Sequence, residues 1–312
     1  MEFKELSLED KDIFDSYLKD TPNKTAIMNF TSLYIWKDWG GKTFWNIIED
    51  TLCIRKHFNN SIFMLTPIST DLHKVKLAVE KLMQIAKEKH EHLCFREAST
   101  DQVKFFNEYW NGEFEIHESV NGANYIYRIS DMVSLTGKQY SAKRNHINQL
   151  MRSGDKLEIK DITPEMLSDC KKYLDSWMQS HHHNDAATLL SDCQATLTAL
   201  DNLDKLDIKG VCLLINGQIQ GLTIGGPLNS DTVLIAIEKA NSAINGAYPY
   251  INQQFLEKHW QGYTYVNREE DMGNPGLRKA KQSYHPCHME QVFLVRLKCN
   301  HVHLKTTSAG GI

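Results

Sequence analysis

The residues best suited to chemistry lie in one stretch, Tyr263-Thr264-Tyr265-Val266-Asn267-Arg268-Glu269-Glu270-Asp271-Met272-Gly273-Asn274-Pro275-Gly276-Leu277-Arg278-Lys279-Ala280-Lys281. A β-like run ends in three carboxylates, then turns into a short basic segment. A carboxylate at a strand end can hold a substrate ammonium group or take its proton. Amine attack on an ester or thioester needs the neutral amine, and a positioned base contributes about 10²–10⁴-fold. Glu269 and Asp271 are the candidate bases, with Asn267 beside them. Arg278, Lys279 and Lys281 follow on a segment that Asn274-Pro275 starts as an N-cap and first helical residue. Arginine there suits bidentate capture of a carboxylate or phosphate. The plainer use of the same residues is a solvated corner, with Arg268 or Arg278 paired to the acids.

A second basic group is Lys138, Lys143, Arg144, His146 and Arg152, on or just before one helix. Lys143 and Arg144 stand one turn from Ile147 and Asn148. This end suits a phosphate backbone or a lipid phosphate, or simply holds its cations in water. Lys143, Arg144, Arg278, Lys279 and Lys281 are expected to line one cationic surface. His181-His182-His183 and the group His285, Cys287, His288 lack convincing ligand spacing, so no metal is expected. Trp36, Trp39 and Trp45 read as core and turn packing before they read as a stacking platform.

The elements that must position these groups read as mixed α/β in both halves. Leu8 to Leu18 is helical. Leu33 to Trp36, Thr43 to Ile47, Thr51 to Arg55 and Ser61 to Leu65 are short β-like runs split by turn signals, which makes them antiparallel neighbours. Leu72 to His90 is an amphipathic helix burying Val75, Val79, Leu82, Met83 and Ala86. A strand at 93–96, a helix at 101–110 and a strand at 125–129 complete this half. Helices at 141–152, 164–180 and 187–202 follow, with a short strand about Ile159. Strands at 209–215, 218–225 and 232–238 come next, the first two joined by the hairpin signal Asn216-Gly217. A helix at 249–260, a strand at 263–267, a helix at 276–282 and one strand at 289–297 end the order.

The length of 312 residues suits two domains. Hydrophobic residues make up 41% and charged residues 24%, ordinary values for a soluble globular chain. No apolar run reaches the roughly 18 residues of a membrane span, and no secretory signal is evident. The seven cysteines (Cys53, Cys94, Cys170, Cys193, Cys212, Cys287, Cys299) are scattered, which fits reduced thiols and a cytoplasmic location. With a net charge of −4, any polyanion must be held by a local basic patch.

The element order of the second half resembles the GNAT acyltransferase fold, and the first half carries a shorter version of it. The expected class is therefore α/β, more narrowly α+β: two tandem GNAT-like domains with mixed, mostly antiparallel sheets. Their expected spans are 1–135 and 136–298, the second carrying the site, with a loose tail at 299–312. Tandem units of this kind are typical of the Fem peptidoglycan aminoacyltransferases. Leu33-Tyr34-Ile35-Trp36, Lys143-Arg144-Asn145-His146-Ile147-Asn148 and the 267–281 stretch resemble the bacterial family of the C-terminal domain of phosphatidylglycerol lysyltransferase, over residues 20 to 297.

That resemblance implies transfer of an acyl or aminoacyl group to an amine or hydroxyl acceptor such as a lipid head group or a peptide. It implies Glu238, at the end of the 232–238 strand, as another candidate base facing the same region. It also leaves aminoacyl-tRNA, with tRNA as a partner, or another phosphate-bearing molecule open as the donor. GNAT enzymes that use acyl-CoA carry Q/R-x-x-G-x-G/A before a helix. Here Ala243 stands where Gln or Arg is needed before Gly246, and Pro249 removes an N–H donor. Gly246 and Tyr248 at this helix start remain candidate contacts for another anion, or serve helix initiation alone. An acyl-CoA-dependent N-acetyltransferase, and a non-catalytic protein holding a nucleotide, RNA or peptide, are the rival readings.

Overall fold

In a computed structural model, which describes residues 2–19, 21, 25–59, 61–181 and 186–298, the alternating runs pair largely as their turns dictate. His182, His183, Cys299 and the 299–312 tail lie outside the described residues. The strands are β1 (Lys4–Glu5), β2 (Thr43–Ile48), β3 (Thr51–Phe58), β4 (Ser61–Leu65), β5 (Cys94–Ser99), β6 (Phe114–Glu118), β7 (Asn124–Arg128), β8 (Leu157–Asp161), β9 (Lys209–Ile215), β10 (Gln218–Pro227), β11 (Thr232–Ala240), β12 (Tyr265–Asn267), β13 (His288–Glu290) and β14 (Val292–Leu297). The helices are α1 (Lys11–Leu18), α2 (Phe30–Ile35), α3 (Leu72–Lys89), α4 (Thr100–Tyr109), α5 (Ile129–Ser134), α6 (Ser141–Met151), α7 (Leu167–Ser180), α8 (Ala186–Leu200), α9 (Ala247–His259) and α10 (Pro275–Gln282). No helix among the described residues is long and apolar enough to cross a membrane.

Two seven-stranded sheets result, ordered β1-β2-β3-β4-β5-β14-β6 and β13-β7-β12-β11-β10-β9-β8. Pairing is antiparallel except at β4–β5 and β11–β12. Asn216 and Gly217 both take positive φ, 52° and 81°, the primed turn that matches strand twist in the β9–β10 hairpin.

Two segments cross the boundary expected at residue 135. β7 joins the second sheet, between β12 and β13, and β14 joins the first, between β5 and β6. The single strand expected at 289–297 is thus two strands in different sheets, separated at Gln291. Leu33 to Ile35, expected with Trp36 as β, belongs to α2 and Trp36 is its C-cap, while the Asn29 side chain accepts the Ser32 N–H and caps the first turn. Five of the six α2 residues are buried, so tertiary packing decides over the local β preference.

The apolar residues form three main clusters. One packs the outer face of the first sheet under α3 and α4, about Phe95, Phe106 and Trp110. A second packs the second sheet under α5, α6 and α9, about Tyr127, Ile251 and Phe255. The third is shared, and joins Phe14, Phe30, Leu52 and Leu65 of the first half to Leu200, Leu214, Leu222 and Leu234 of the second.

Candidate active site

β11 and β12 pair only over Thr232↔Tyr265, Val233↔Val266 and Leu234↔Asn267. β12 stops there, while β11 runs on to Ala240 past a register shift opposite Ile224 and Gly225. The two strands therefore part, and the charged residues gather where they diverge.

The turn leaving β12 is clamped from below. Asn267 is fully buried; its Nδ2 donates to Asn124 Oδ1 (2.9 Å) and its Oδ1 accepts the Glu269 N–H (2.7 Å). β7 extends the clamp, with Arg268 N–H donating to the Tyr125 carbonyl and Tyr125 N–H to the Glu269 carbonyl. Glu269 is thereby held at φ 58°, an uncommon conformation for a non-glycine residue and one found at sites the surroundings over-determine. Asn267, expected among the catalytic residues, is buried and shapes the turn that carries Glu269.

Asp271 is also removed from the list of bases. Arg278 grips it in a fork, Nε to Oδ2 at 2.7 Å and Nη2 to Oδ1 at 2.8 Å. The Tyr125 hydroxyl donates to Oδ2 at 2.6 Å and the Gly273 N–H to Oδ1 at 2.8 Å. Arg278, aided by Tyr125 and the Gly273 N–H, holds this carboxyl well below the usual carboxylate range. A carboxylate so saturated is a poor proton acceptor. Arg278 is correspondingly spent, its Nη2 also donating to Asn121 Oδ1 at 2.8 Å.

Glu269 and Glu270 differ from Asp271. Both are half-buried, and both are pushed upward by burial; for Glu269 the neighbouring Glu270 charge adds to it. Glu97, from β5 of the other sheet, is pushed up to about 7 by burial and by Glu270. Lys281 is buried and donates to the Arg268 and Glu270 carbonyls. Burial lowers it to about 8, with the Glu269 charge opposing. Lys239 pairs with Asp192 of α8 and lies 4.1 Å over the Trp177 ring, and both charges act on Glu269.

The other side of the strand end carries the opposite sign. Arg268 Nη2 donates to Glu238 Oε1 at 2.7 Å, with the side chains 13% and 11% exposed. Asn252 Nδ2 donates to the second Glu238 oxygen at 2.5 Å. Burial opposes the Arg268 charge, but Glu238 outweighs it and raises the guanidinium. The Arg268 guanidinium lies 4.8 Å from the Tyr284 ring centre, and Lys143 Nζ stands 4.0 Å from the same ring centre. Burial and the Arg268 charge lower Lys143 to about 8.

The expected single cationic surface is not assembled. Lys143 and Lys281 reach the cluster. Arg144 turns away, donating to the carbonyls of Leu135 and Gly137, where it caps α5. Arg278 is bound to Asp271, and Lys279 and Asn148 are exposed. Gly246 is needed for helix packing: at φ +93°, an added Cβ would stand 2.3 Å from the His146 carbonyl oxygen. The side of Gly246 where a Cβ would stand is therefore filled by α6. Tyr248 is half-buried, and its phenol senses Glu238 and Asp192. The local sequence marked the acids, but Arg268 read there only as their partner. Asn252, Tyr284 and Glu97 carry no local signal and are recruited by the fold.

The chain matches the family described as phosphatidylglycerol lysyltransferase, C-terminal, over residues 21–296. A conserved protein of unknown function from Bacteroides thetaiotaomicron VPI-5482 is 30% identical, superposing with a TM-score of 0.88 over 95% of this chain and 99% of that one. L-PGS from Bacillus licheniformis shares the fold at 14% identity, with a TM-score of 0.65 over 96% and 94% of the two chains. A tandem GNAT protein from the clavulanic acid biosynthesis pathway shares it at 10% identity, with a TM-score of 0.51 over 94% and 97%. An uncharacterised protein of Mycoplasmoides gallisepticum is 27% identical over 196 residues, which is 59% of this chain and 58% of that protein's length. Family and fold together support an acyltransferase-type function. With a match running from residue 21 to 296 and two GNAT-like sheets in one chain, the protein belongs to the family of the C-terminal domain of phosphatidylglycerol lysyltransferase.

Proposed function

We propose that the protein transfers an aminoacyl group to an amine or hydroxyl acceptor in the cleft where β11 and β12 part. The observation that carries this reading is Glu269: a half-buried acid, fixed by the Asn267 turn, with its proton affinity raised by burial and by Glu270. An acid shifted toward neutrality exchanges a proton with an attacking amine or hydroxyl more readily than an ordinary carboxylate does. In the forward step the acceptor's lone pair forms a bond to the acyl carbonyl carbon. Glu269 takes the acceptor's proton, the bond from the acyl carbon to the donor's oxygen breaks, and Glu269 passes the proton to that oxygen, which leaves as the donor's hydroxyl. Lys281 and Lys239 favour the ionised form of Glu269, the form that takes the proton.

The α9 start favours an aminoacyl-tRNA donor over acyl-CoA. The required glycine-rich loop is absent, Pro249 lacks an N–H, and Gly246 is packed against His146. Calorimetry with acetyl-CoA is expected to show no binding at micromolar concentrations; a micromolar or tighter constant would promote the acyl-CoA donor instead. The transfer itself is tested by incubating the protein with aminoacyl-tRNA carrying a labelled amino acid, in the presence of lipid extract or an amine-bearing peptide. Label moving to an acceptor supports the reading. Label that stays on tRNA with every acceptor, while tRNA still binds, would leave a binding protein.

A further inference from the structure

The corner formed by Lys143, Arg268, Glu238 and Asn252 is short of one negative charge and one acceptor. Glu238 is the carboxylate that acts on both cations, and its two oxygens are already engaged by Arg268 and Asn252. Arg268 Nη1 is buried and finds no acceptor in hydrogen-bond geometry beyond the Tyr284 side chain that the guanidinium faces, and Lys143 meets the same ring. Asn252 is 1% exposed; its amide nitrogen must face the acceptor-only carboxylate, so its oxygen faces elsewhere, and that oxygen is also buried without a partner. Buried donors and acceptors are nearly always paired, so two such groups beside one carboxylate call for a ligand.

We propose that Lys143 and Arg268 form an oxyanion subsite, which takes a carboxylate or phosphoryl oxygen of a substrate beside an N–H or O–H donor that meets Asn252. Lys281 links this subsite to the acids: its charge interacts with Glu269 and Glu270 and with Arg268 and Glu238. A substrate that spans both carries its anion at the Lys143 end and its cation or nucleophile at the Glu269 end. The inference deepens the transfer reading by giving the substrate a charged anchor. It stands apart from that reading in one respect: Glu269→Gln leaves oxyanion binding intact whether or not transfer occurs.

The test is calorimetry of the full chain with inorganic phosphate and, separately, acetate, each against chloride at matched ionic strength. One of the two is expected to bind, and which one does identifies the anchor as phosphoryl or carboxylate. Lys143→Met keeps the aliphatic stem over Tyr284 and should weaken that binding about tenfold or more, the effect of one lost charge-assisted contact. Lys143→Arg should largely restore it, and Lys104→Met, on an exposed side chain of α4, should leave it unchanged. If neither anion binds above the chloride control, or Lys143→Met binds as the wild type does while folded by circular dichroism, the subsite does not exist.

Discussion

Glu269→Gln is expected to lower the rate of group transfer by about 10²–10⁴-fold while donor and acceptor still bind. Gln matches Glu in size and keeps the Asn267 and Tyr125 backbone contacts, because both use the main chain of residue 269. What it loses is the proton acceptor. The pH dependence gives an independent readout. A base works in its ionised form, and burial and Glu270 raise the pKa of Glu269, so the wild-type rate should climb with pH through that raised value. The variant should lack this limb. Single-turnover transfer across pH checks both points. A variant with the wild-type rate and the same limb would remove Glu269 from the chemistry and leave Glu238 or Glu270 as the base.

The largest stability effect is expected at Asp271. Asp271→Ala should cost about 2–4 kcal/mol at neutral pH, below the roughly 3–5 kcal/mol of a fully buried pair because Arg278 is 37% exposed and partly screened. The loss leaves the Tyr125 hydroxyl and the Arg278 fork without their acceptor. The same contacts set the pH dependence. Arg278 and Tyr125 depress the folded-state pKa of Asp271, so the unfolded chain holds the proton more readily. The stabilisation is therefore complete above the unfolded value of about 3.9 and is lost as pH falls below it. Urea denaturation at pH 7 and pH 3 should show the variant's deficit shrinking in acid. A deficit under about 1 kcal/mol at pH 7 would mean that the fork contributes little.

Much of the fold was legible because its signals are local. Ser61–Leu65 and Lys209–Ile215 emerge with the bounds their β-branched and apolar runs suggest, and Asn216-Gly217 closes the hairpin it announces. Other elements resisted for physical reasons. Phe114–Glu118 is a strand with acids and a histidine among its residues, and pairing with β14 makes it one. The site follows the same division. The charge run at 267–281 marked the place, but four carboxyl and amide groups close in sequence received different fates. Asn267 and Asp271 are buried, while Glu269 and Glu270 are half-buried. That sorting depends on Tyr125 and Asn124 of β7, which no spacing rule links to residue 271.

The exchange of β7 and β14 between the sheets has a kinetic consequence. β14 lies inside its sheet, between β5 and β6, so a chain ending before residue 292 would leave both of those strands with open edges. The first half of the polypeptide cannot finish folding as it emerges from the ribosome; it must wait for residue 297. The contacts that close each sheet join distant parts of the chain, which predicts slow, high-contact-order folding and a nascent species in need of shielding. Once β14 is seated, each sheet holds a strand from the other half of the chain. Partial unfolding near the end of β12 should thereby be suppressed, and proteolysis of the native protein should proceed through one concerted step.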